Sequence, residues 1–293
     1  MIINYDPRII KKDGISIYLS IDKDSDNNER DIPIIIIPPA FNKTMRDYFM
    51  FSAYFVNNGF TVVRYDTPFH IGLSSGDIFD YKLSESLHTL NIVSDYVKLQ
   101  FSNSNSYLLG TSLIGRVVIK QLTYPNADMF SHVCLLMPVV DVQDTIKKVT
   151  GIDYFDAVQK DLTIKDIEIL NHRVSSSFIF DALDNGFYDS KNTIEDLSNT
   201  KKEISVFTVE QDEWVSAEHE QLIFSDYKYC VKLSTLMYST HQLDRNLQAM
   251  KTLLEEIVTY IVNREYSGGY KIRFPDFHDL VNNSKLDRNK AYY

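Results

Sequence analysis

Ser112 is the residue whose neighbours most clearly suggest chemistry, because it stands where one sequence pattern changes into another. An apolar run that begins at Ser106 ends at Gly110, and a helical pattern of apolar residues starts at Leu113. A serine on such a strand-to-helix turn has its hydroxyl pushed out of the sheet, the arrangement called a nucleophile elbow. The backbone N–H of Leu113 can then donate to an oxyanion that forms beside the serine. The stretch therefore predicts a serine nucleophile.

The motif around Ser112 departs from the usual Gly-x-Ser-x-Gly spacing. Gly110 is in place, but the second glycine is Gly115, and Ile114 occupies a position where a small residue is usual. The two glycines also have the spacing of a phosphate-binding loop, in which a Lys and a Ser or Thr would follow. An Arg and a Val follow here, so phosphate binding is the weaker interpretation.

A serine nucleophile needs a histidine base and a carboxylate that orients the base. After a nucleophile elbow, these residues come in the order acid, then histidine. Asp212 is the predicted acid because it follows a late strand, and Glu210 and Glu213 are neighbouring carboxylates that compete for the role. Of the seven histidines, His241 follows the last predicted strand and is the predicted base. His70 lies in a Gly/Ser turn near the site, and we interpret it as a residue that stabilises this loop by hydrogen bonds.

The elements that must position these residues are indicated by apolar runs that alternate with helical patterns. The runs have no polar alternation, which is typical of parallel strands buried on both faces. Their alternation with helices predicts an α/β fold, with a mainly parallel sheet covered on both faces. In such sheets the active site lies beyond the carboxyl ends of strands, where we place Ser112, Ala40–Phe41 and the 66–76 loop. Strands are predicted at 32–37, 60–65, 106–110, 132–137, 204–209 and 231–236, helices at 45–58, 83–99, 244–262 and from residue 113, and a hairpin around Asp13–Gly14.

The strand pattern lapses between residues 141 and 200, which are predicted to form a polar, helical insertion. The insertion is either a cap over the site or a set of extra helices, and periodicity does not separate the two. In a cap, the aromatic residues Phe155, Phe178 and Phe180 are candidates to bind substrate, and they are equally candidates for the core of the cap. We predict a single domain with a polar C-terminal tail at about 267–293.

Composition excludes several classes of function. Lys and Arg number 30 against 40 Asp and Glu, a formal charge of −10, so nucleic acid is not an expected partner. Two cysteines in 293 residues imply no disulfide framework and suit the reducing cytoplasm. Residues 1–6 lack the apolar core of a signal peptide, and no apolar run is long enough to span a membrane. No motif with metal-ligand spacing occurs, so no metal is expected.

Several strings of the sequence together carry a family resemblance. Over nearly the whole chain, from the strand at Ile34 to Pro275–Phe277, the sequence resembles the LuxD-type acyl transferases of bacterial luminescence operons, which are myristoyl-ACP-specific thioesterases. The triad alone would indicate only a serine hydrolase. The strings that match are Arg64–Asp66, His70–Gly76, Ser112–Leu113, Arg116–Val117, Phe207–Thr208, Asp212, Trp214–Val215, Ser239, His241 and Leu243.

This resemblance implies an α/β-hydrolase fold in which Ser112, Asp212 and His241 form a catalytic triad. It also implies that the backbone N–H groups of Phe41 and Leu113 stabilise the oxyanion. The implied reaction releases a long fatty acyl chain from acyl carrier protein or acyl-CoA through an acyl-serine, with no cofactor. The implied recipient is a fatty-acid reductase complex, which makes the aldehyde used by luciferase.

Two residues near the predicted site depart from what the resemblance leads us to expect. Ile114 replaces a small residue and Ala40 replaces a glycine before the oxyanion loop, and both should crowd the site. Lys43 and Arg46 flank that loop, either to dock an acidic acyl carrier protein or as ordinary solvated charges. Two other functions stay open. One is a general carboxylesterase or lipase of the same fold, and the other is a catalytically silent binding module.

Overall fold

The computed structural model describes residues 3–25, 32–160, 162–243, 246–266 and 269–281. These residues form a large eight-stranded sheet with helices on both faces and a separate two-stranded sheet. The strands are β1 Ile3–Lys12, β2 Ile15–Asp24, β3 Ile34–Ile37, β4 Thr61–Tyr65, β5 Ser106–Thr111, β6 Phe130–Leu136, β7 Asp166–Ile169, β8 His172–Ser175, β9 Ile204–Val209 and β10 Cys230–Leu236. The α-helices are α1 Phe49–Val56, α2 Leu83–Gln100, α3 Ser112–Gln121, α4 Val142–Thr150, α5 Tyr154–Gln159, α6 Ser177–Asp184, α7 Ser190–Ser198, α8 Ala217–Asp226 and α9 Leu247–Glu265. Turns of 3₁₀-helix cover Met45–Tyr48, Ile78–Asp80 and Pro125–Met129.

The large sheet has the strand order β1-β2-β4-β3-β5-β6-β9-β10. From β4 to β10 the paired neighbours run parallel, whereas β1 and β2 form an antiparallel hairpin joined to β4. The predicted hairpin turn is confirmed at Asp13 and Gly14, whose φ values are 52° and 81°. Positive φ at both turn residues matches the twist of paired strands. The predicted class, α/β with a mainly parallel sheet, is confirmed.

The central strands are buried on both faces because their side chains alternate between two apolar clusters. In β3, Ile34 and Ile36 belong to a cluster with α2, α3 and the insertion, while Ile35 and Ile37 belong to a cluster with α1 and α9. All four are 0% exposed, which explains why the run shows no polar alternation. The parallel strands end at one edge of the sheet, where the loops that carry the candidate residues meet.

The predicted helix over 45–58 is present in two parts, a 3₁₀ turn followed by α1. The carboxylate of Asp47 accepts a hydrogen bond from the N–H of Thr44 at 2.7 Å, so a side chain satisfies a backbone donor at the start of this turn. Gly59 ends the element with a φ of 84°, as predicted for a glycine that follows a helix. This helical element is therefore capped by a side chain at its start and ended by a glycine.

The insertion at 141–200 is not helical throughout, which corrects the prediction. It contains α4 to α7 and, between α5 and α6, the antiparallel hairpin β7–β8. Each of these strands has four residues, too few for a clear periodic signal, although Ile167, Ile169 and Val174 alternate with polar residues and are buried. The turn includes Leu170 in the left-handed region. The other turn residue, Asn171, also has a positive φ, of 66°. Asparagine is a typical turn residue but leucine is not, so the pair gave only a weak turn signal in the sequence.

Of the predicted polar tail at 267–293, only 269–281 lies within the described residues. This part packs against the body of the protein, since Phe277 is 5% exposed within the α1–α9 cluster. The side chain of Asn58 bonds both the N–H and the C=O of Arg273 at 2.8 Å. The described part is therefore docked. In the ranges given above, no helix combines the length and the apolar character needed to cross a lipid bilayer.

Candidate active site

Ser112 lies at the turn between β5 and α3, at the carboxyl end of a central strand. Its φ is 52°, a left-handed conformation that costs a non-glycine residue on the order of 1–3 kcal/mol and is concentrated at functional sites. Thr111 is buried at the end of β5, whereas Ser112 is partly exposed. The turn therefore has the geometry of a nucleophile elbow.

Two glycines allow α3 to lie close to its neighbours. A Cβ on Gly110 would meet the side chain of Val118 at 2.7 Å, and a Cβ on Gly115 would meet Pro138 at 2.8 Å. Both distances are shorter than real Cβ contacts, so these positions require glycine. Ile114, which we expected to crowd the turn, is 1% exposed and packs in the core. The residue at which α3 approaches Pro138 is Gly115. This contact explains why the second glycine stands one position later than in the usual motif.

Two hydrogen bonds join Ser112, His241 and Asp212 in sequence. Ser112 Oγ lies 2.8 Å from His241 Nε2, and His241 Nδ1 lies 2.7 Å from Asp212 Oδ2. Because a carboxylate only accepts, Nδ1 carries the ring proton, and Nε2 is left to accept the proton of the serine hydroxyl. The side chains of His241 and Asp212 are 4% and 0% exposed. The structure thus brings together the three residues that the sequence singled out.

The Asp212 carboxylate is positioned by the turn that follows it. Its Oδ1 accepts hydrogen bonds from the N–H groups of Trp214 at 2.9 Å and Val215 at 2.7 Å, which leaves Oδ2 for His241. The indole ring of Trp214 lies 4.8 Å from the imidazole ring. One short turn therefore holds the acid and also places an aromatic ring against the imidazole.

The two neighbouring carboxylates that competed with Asp212 have other partners. Glu210 Oε2 accepts a hydrogen bond from the N–H of Tyr238 at 2.8 Å, and Glu213 Oε2 accepts one from the N–H of His241 at 2.9 Å. Both therefore fix the backbone of the loop after β10, and of the three carboxylates Asp212 is the one that bonds the imidazole ring.

The backbone groups considered for an oxyanion hole follow two neighbouring parallel strands. Phe41 comes shortly after β3, and Leu113 comes shortly after β5, which pairs with β3. Leu113 lies in the first turn of α3, where an N–H has no acceptor within the helix. The positive end of the helix dipole favours an anion there. Both residues are buried at the sheet edge that also carries Ser112.

A buried tyrosine ties the loop after β3 to the strand before Ser112. The Tyr48 hydroxyl accepts a hydrogen bond from the N–H of Ala40 at 3.0 Å and lies 2.7 Å from Thr111 Oγ1. Burial raises the pKa of Tyr48 to about 12, so the hydroxyl keeps its proton and can donate to Thr111. Sequence reasoning missed this residue, because a tyrosine within an apolar helix is normally interpreted as core.

Two charged residues near the end of β4 hold the other end of this loop. Asp66 Oδ1 accepts from the N–H of Met45 at 2.8 Å, and Arg64 Nη1 donates to the Met45 C=O at 2.5 Å. Burial raises the pKa of the Asp66 carboxyl. Arg64 is itself paired with the buried carboxylate of Asp22 at 2.6 Å. One of the strings that carried the resemblance therefore supports the loop that contains Phe41.

The three aromatic candidates for substrate binding have different places in the insertion. Phe155 is 0% exposed and stacks on Tyr188, with 5.8 Å between ring centroids. Phe178 is also 0% exposed and stacks on Tyr81 at 6.1 Å. Phe180 is 48% exposed. The first two belong to the apolar cluster that includes the sheet, and a role in binding an acyl chain stays a prediction for all three.

A buried arginine fastens the insertion to the helix that begins at Ser112. Arg116 is 0% exposed, and its Nη2 donates to Asp196 of α7 at 2.7 Å and to the C=O of Gly186 at 2.6 Å. Lys120, one turn further along α3, pairs with the same carboxylate at 3.0 Å. Arg116, the positively charged residue beside the two glycines, therefore binds the insertion and is not available to bind a phosphate. The phosphate-loop interpretation has no support in the structure.

Of the two docking candidates, Lys43 lies in the loop after β3 and is partly buried, and Arg46 lies in the following 3₁₀ turn and is exposed. The positive charge of Arg46 lowers the pKa of the Asp66 carboxyl, and this opposes the larger effect of burial, which raises it. Contact with a carrier stays a prediction for both residues. Across the described ranges, no three His, Cys, Asp or Glu side chains gather as they would around a metal ion.

Sequence comparison extends these observations to known proteins. A family model described as "Acyl transferase" matches residues 5–280. The "Acyl transferase" of Vibrio campbellii is 27% identical over 254 residues, which cover 84% of this chain and 81% of the relative. That of Aliivibrio fischeri is 28% identical over 260 residues, which cover 87% and 83%. The similarity therefore extends over most of both chains.

Structural comparison shows the fold. Est1E from Butyrivibrio proteoclasticus with bound ferulic acid has a TM-score of 0.72 at 20% identity and covers 86% of this chain and 98% of its own. The α/β hydrolase GrgF from a Penicillium species has a TM-score of 0.67 at 14% identity, with coverages of 89% and 98%. A thioesterase domain from the curacin biosynthetic pathway has a TM-score of 0.58 at 12% identity, with coverages of 86% and 99%. The fold is that of the α/β hydrolases, as the resemblance implied, and the chain belongs to the LuxD-type acyl transferase family.

Proposed function

We propose that this protein transfers long-chain fatty acyl groups through a covalent intermediate on Ser112, with His241 as general base and Asp212 as the orienting acid. The observation that carries the proposal is the pair of hydrogen bonds of 2.8 Å and 2.7 Å that links the three side chains. Membership in the acyl transferase family supports the reaction class. The left-handed conformation of Ser112 supports its role as nucleophile, since such strain is concentrated at functional sites.

Acylation begins when Ser112 Oγ attacks the carbonyl carbon of an acyl thioester and His241 Nε2 takes the hydroxyl proton. The carbonyl oxygen becomes an oxyanion, which the N–H groups of Phe41 and Leu113 stabilise. As the oxyanion collapses, the C–S bond breaks, and the proton on His241 passes to the departing thiolate. The products of this step are a free thiol and an acyl-serine.

Deacylation repeats the same chemistry with another nucleophile. His241 takes a proton from water or from an acceptor alcohol or thiol, whose oxygen or sulfur attacks the ester carbonyl of the acyl-serine. Collapse of the second oxyanion breaks the bond to Ser112 Oγ, which recovers its proton from His241. Water as nucleophile gives a free fatty acid, so the same site supports thioesterase and acyl-transfer activity without a cofactor.

The proposed acyl donor carries a myristoyl-like chain on acyl carrier protein or coenzyme A. The proposed recipient of the fatty acid is a fatty-acid reductase complex, which supplies aldehyde for bioluminescence. The resemblance to the luminescence-operon enzymes supports both parts. A chain of this length requires an apolar site, because each buried methylene is worth ~0.8 kcal/mol, about a fourfold gain in binding. We assign this role to the cap at 141–200, with Phe155, Phe178 and Phe180 as candidate contacts.

Two further parts of the proposal concern docking and compartment. Lys43 and Arg46 supply positive charge beside the loop that carries Phe41, and they are the proposed contacts for an acidic carrier protein. We place the reaction in the cytoplasm. The two unpaired cysteines are compatible with a reducing compartment.

Intact-protein mass spectrometry after brief incubation with myristoyl-CoA tests the proposal. The wild-type protein should gain the mass of one myristoyl group, and peptide mapping should place it on Ser112. Ser112→Ala should gain nothing, and p-nitrophenyl acetate should acylate the wild-type protein much more slowly than the long-chain thioester. A general carboxylesterase or lipase would instead accept short esters equally well. A protein that forms no adduct with any ester or thioester would be a silent module.

A further inference from the structure

Phe41, the proposed source of one oxyanion donor, lies between two residues that are both tied down. On one side, the N–H of Ala40 donates to a buried tyrosine hydroxyl. On the other side, the N–H of Asn42 donates to His70 Nε2 at 3.1 Å, and Asn42 Oδ1 lies 2.7 Å from His172 Nε2. The last contact comes from the cap, because His172 is the first residue of β8.

The backbone of Asn42 is in the left-handed region, with a φ of 62°. Asparagine tolerates this conformation better than most residues, and here both its N–H and its side chain are engaged in contacts. Residues 41 and 42 share one rigid peptide plane. That plane holds the C=O of Phe41 and the N–H of Asn42, so a shift of Asn42 moves the Cα of Phe41, to which the Phe41 N–H group is bonded.

The two histidines have opposite hydrogen-bonding roles toward Asn42, because His172 donates to it and His70 accepts from it. Asn42 Oδ1 only accepts, so His172 Nε2 carries a proton, whereas the N–H of Asn42 only donates, so His70 Nε2 does not. Burial lowers the pKa of His70 to about 4, which leaves its Nε2 free to accept at neutral pH. His70, from the 66–76 loop, is thus the contact with the body of the protein, and His172 is the contact with the cap.

Aromatic contacts also link Phe41 to both histidines and to the cap. The ring of Phe41 lies edge-on to His70 and His172, with centroid distances of 5.5 Å and 6.0 Å, and to Tyr81 at 5.1 Å. Tyr81 in turn stacks on Phe178 of α6. Phe41 therefore touches the cap directly through His172 and indirectly through Phe178.

We propose that His172 is a positioning residue through which the cap sets the place of the Phe41 N–H. It follows that a long acyl chain bound at the cap raises the rate at which Ser112 is acylated, in addition to its effect on affinity. Binding energy from a remote part of a substrate acts on rate in this way when it fixes groups at the reacting centre. This inference rests on the proposed function, since it requires an acyl-serine at Ser112.

Stopped-flow acylation of the full chain with p-nitrophenyl acetate and p-nitrophenyl myristate tests the inference, because it gives the acylation rate constant and the half-saturating concentration separately. His172→Phe keeps a ring against Phe41 but lacks the donor, whereas His172→Gln supplies an amide N–H to Asn42 Oδ1. Arg173→Ala is the matched control on the same strand, since the Arg173 side chain is 76% exposed and pairs with Asp166.

In the wild-type protein, the acylation rate constant should be larger for myristate than for acetate. His172→Phe should lower the myristate rate constant ~10–100-fold, less than the ~10²–10³-fold cost of deleting an oxyanion donor outright. The half-saturating concentration should change little. His172→Gln should recover most of the rate, and Arg173→Ala should retain it. Thermal melting verifies that each variant is folded, and His172→Ala replaces His172→Phe if the phenyl ring is not accommodated.

The inference is overturned if a folded variant without the donor acylates at the wild-type rate. It is equally overturned if only the half-saturating concentration rises, because that would make His172 a substrate contact. A wild-type protein that forms no adduct on Ser112 overturns the proposed function itself. The two failures are therefore distinguishable in one experiment.

Discussion

The two halves of the candidate site hold their polar groups in different ways. In the acid–base half, formed by the loops after β9 and β10, the hydrogen bonds join two short segments, 210–215 and 238–241, apart from the one that links His241 to Ser112. In the oxyanion half, formed by the loop after β3, the partners come from β5, from the end of β4, from the 66–76 loop and from the insertion at 141–200. Apart from its link to Ser112, the first half is thus built from two loops, whereas the second depends on contacts from several separate parts of the chain.

This difference leads us to expect two kinds of response to substitution. In the acid–base half, each proposed catalytic group has no substitute, so its removal should abolish most of the rate. In the oxyanion half, the position of Phe41 is shared among several contacts, so removal of one contact should reduce the rate in part. The predictions below test this contrast, from the largest expected effect to the smallest.

Ser112→Ala should have the largest effect. Turnover should fall by roughly 10⁶, the loss measured for a serine nucleophile that acts as a unit with its base. The variant should stay folded, because a partly exposed hydroxyl at a turn contributes little packing. Steady-state hydrolysis of p-nitrophenyl myristate and a thermal melt check both statements. A variant that retains turnover within a few fold of wild type would place the nucleophile elsewhere.

Asp212→Asn should come next, with a rate loss on the order of 10⁴ if the role of the acid is to hold the tautomer of His241. Glu210→Gln is the matched control, because a glutamine Oε1 can still accept from the N–H of Tyr238. The control should keep most of the wild-type rate in the same assay. Equal losses in both variants would remove Asp212 from the role of acid.

Tyr48→Phe tests the oxyanion half. It removes the hydroxyl that accepts from Ala40 and contacts Thr111, and the rate should fall only ~10-fold, well below the cost of deleting an oxyanion donor. Tyr54→Phe is the control, since the Tyr54 hydroxyl is buried and has no hydrogen-bond partner among the described residues. The control should acylate at the wild-type rate. A 10⁴-fold loss in Tyr48→Phe would erase the contrast between the two halves.

Reversal of both docking charges, Lys43→Glu with Arg46→Glu, should weaken use of acyl carrier protein several-fold at low salt. The cause is the loss of charge complementarity, which mainly lowers the association rate. Hydrolysis of p-nitrophenyl esters should be spared, because these substrates carry no acidic carrier. An equal loss on both substrates would show that the charges support the loop and do not dock a carrier.

From the buried carboxyl of Glu220, in α8, we predict that the free energy of unfolding depends on pH. It is 0% exposed, neither carboxylate oxygen has a partner among the described residues, and burial, with the charge of Asp212, raises its pKa well above the usual value. A carboxyl whose pKa is raised in the folded state binds more protons when the protein is folded than when it is unfolded. Its contribution to the free energy of unfolding is therefore fully present below the unfolded pKa of about 4.3 and is lost as the pH rises.

Glu220→Gln should therefore melt at a higher temperature than wild type at pH 7–8, and the difference should vanish near pH 4. Glu218→Gln, an exposed neighbour on the same helix, is the control and should show no such trend. If the difference in melting temperature stays constant across this pH range, the pKa of Glu220 is the same in the folded and unfolded states, which contradicts the prediction. Activity at neutral pH should change little.

The chemistry-bearing residues could be predicted because each follows a strand that the sequence identifies. Ser112, Asp212 and His241 come after apolar runs, and the parallel sheet brings the ends of those runs together. The strand order could not be read from the runs alone. The hairpin β7–β8 was missed, because four-residue strands carry too little periodicity to be distinguished from a helix.

Two of the residues that position the oxyanion half, Tyr48 and His172, left no signal in the sequence, unlike His70 and the Arg64–Asp66 string. Tyr48 lies within an apolar helical pattern, and His172 lies in a polar stretch 130 residues from Asn42, its partner in the structure. Side chains that act through long-range contacts are indistinguishable in sequence from core or surface residues of the same type. Only the structure shows that both converge on the loop that carries Phe41.

The central claim is that the protein works through an acyl-serine at Ser112, and rapid-quench kinetics with myristoyl-CoA tests it most directly. Where deacylation is slower than acylation, the account predicts a burst of free coenzyme A close to one equivalent of enzyme. The trapped chain should map to the peptide that contains Thr111–Leu113, and Ser112→Ala should show neither burst nor adduct. A wild-type protein with no burst and no adduct, or with the acyl group on Ser74, Cys134 or Cys230, would contradict the account.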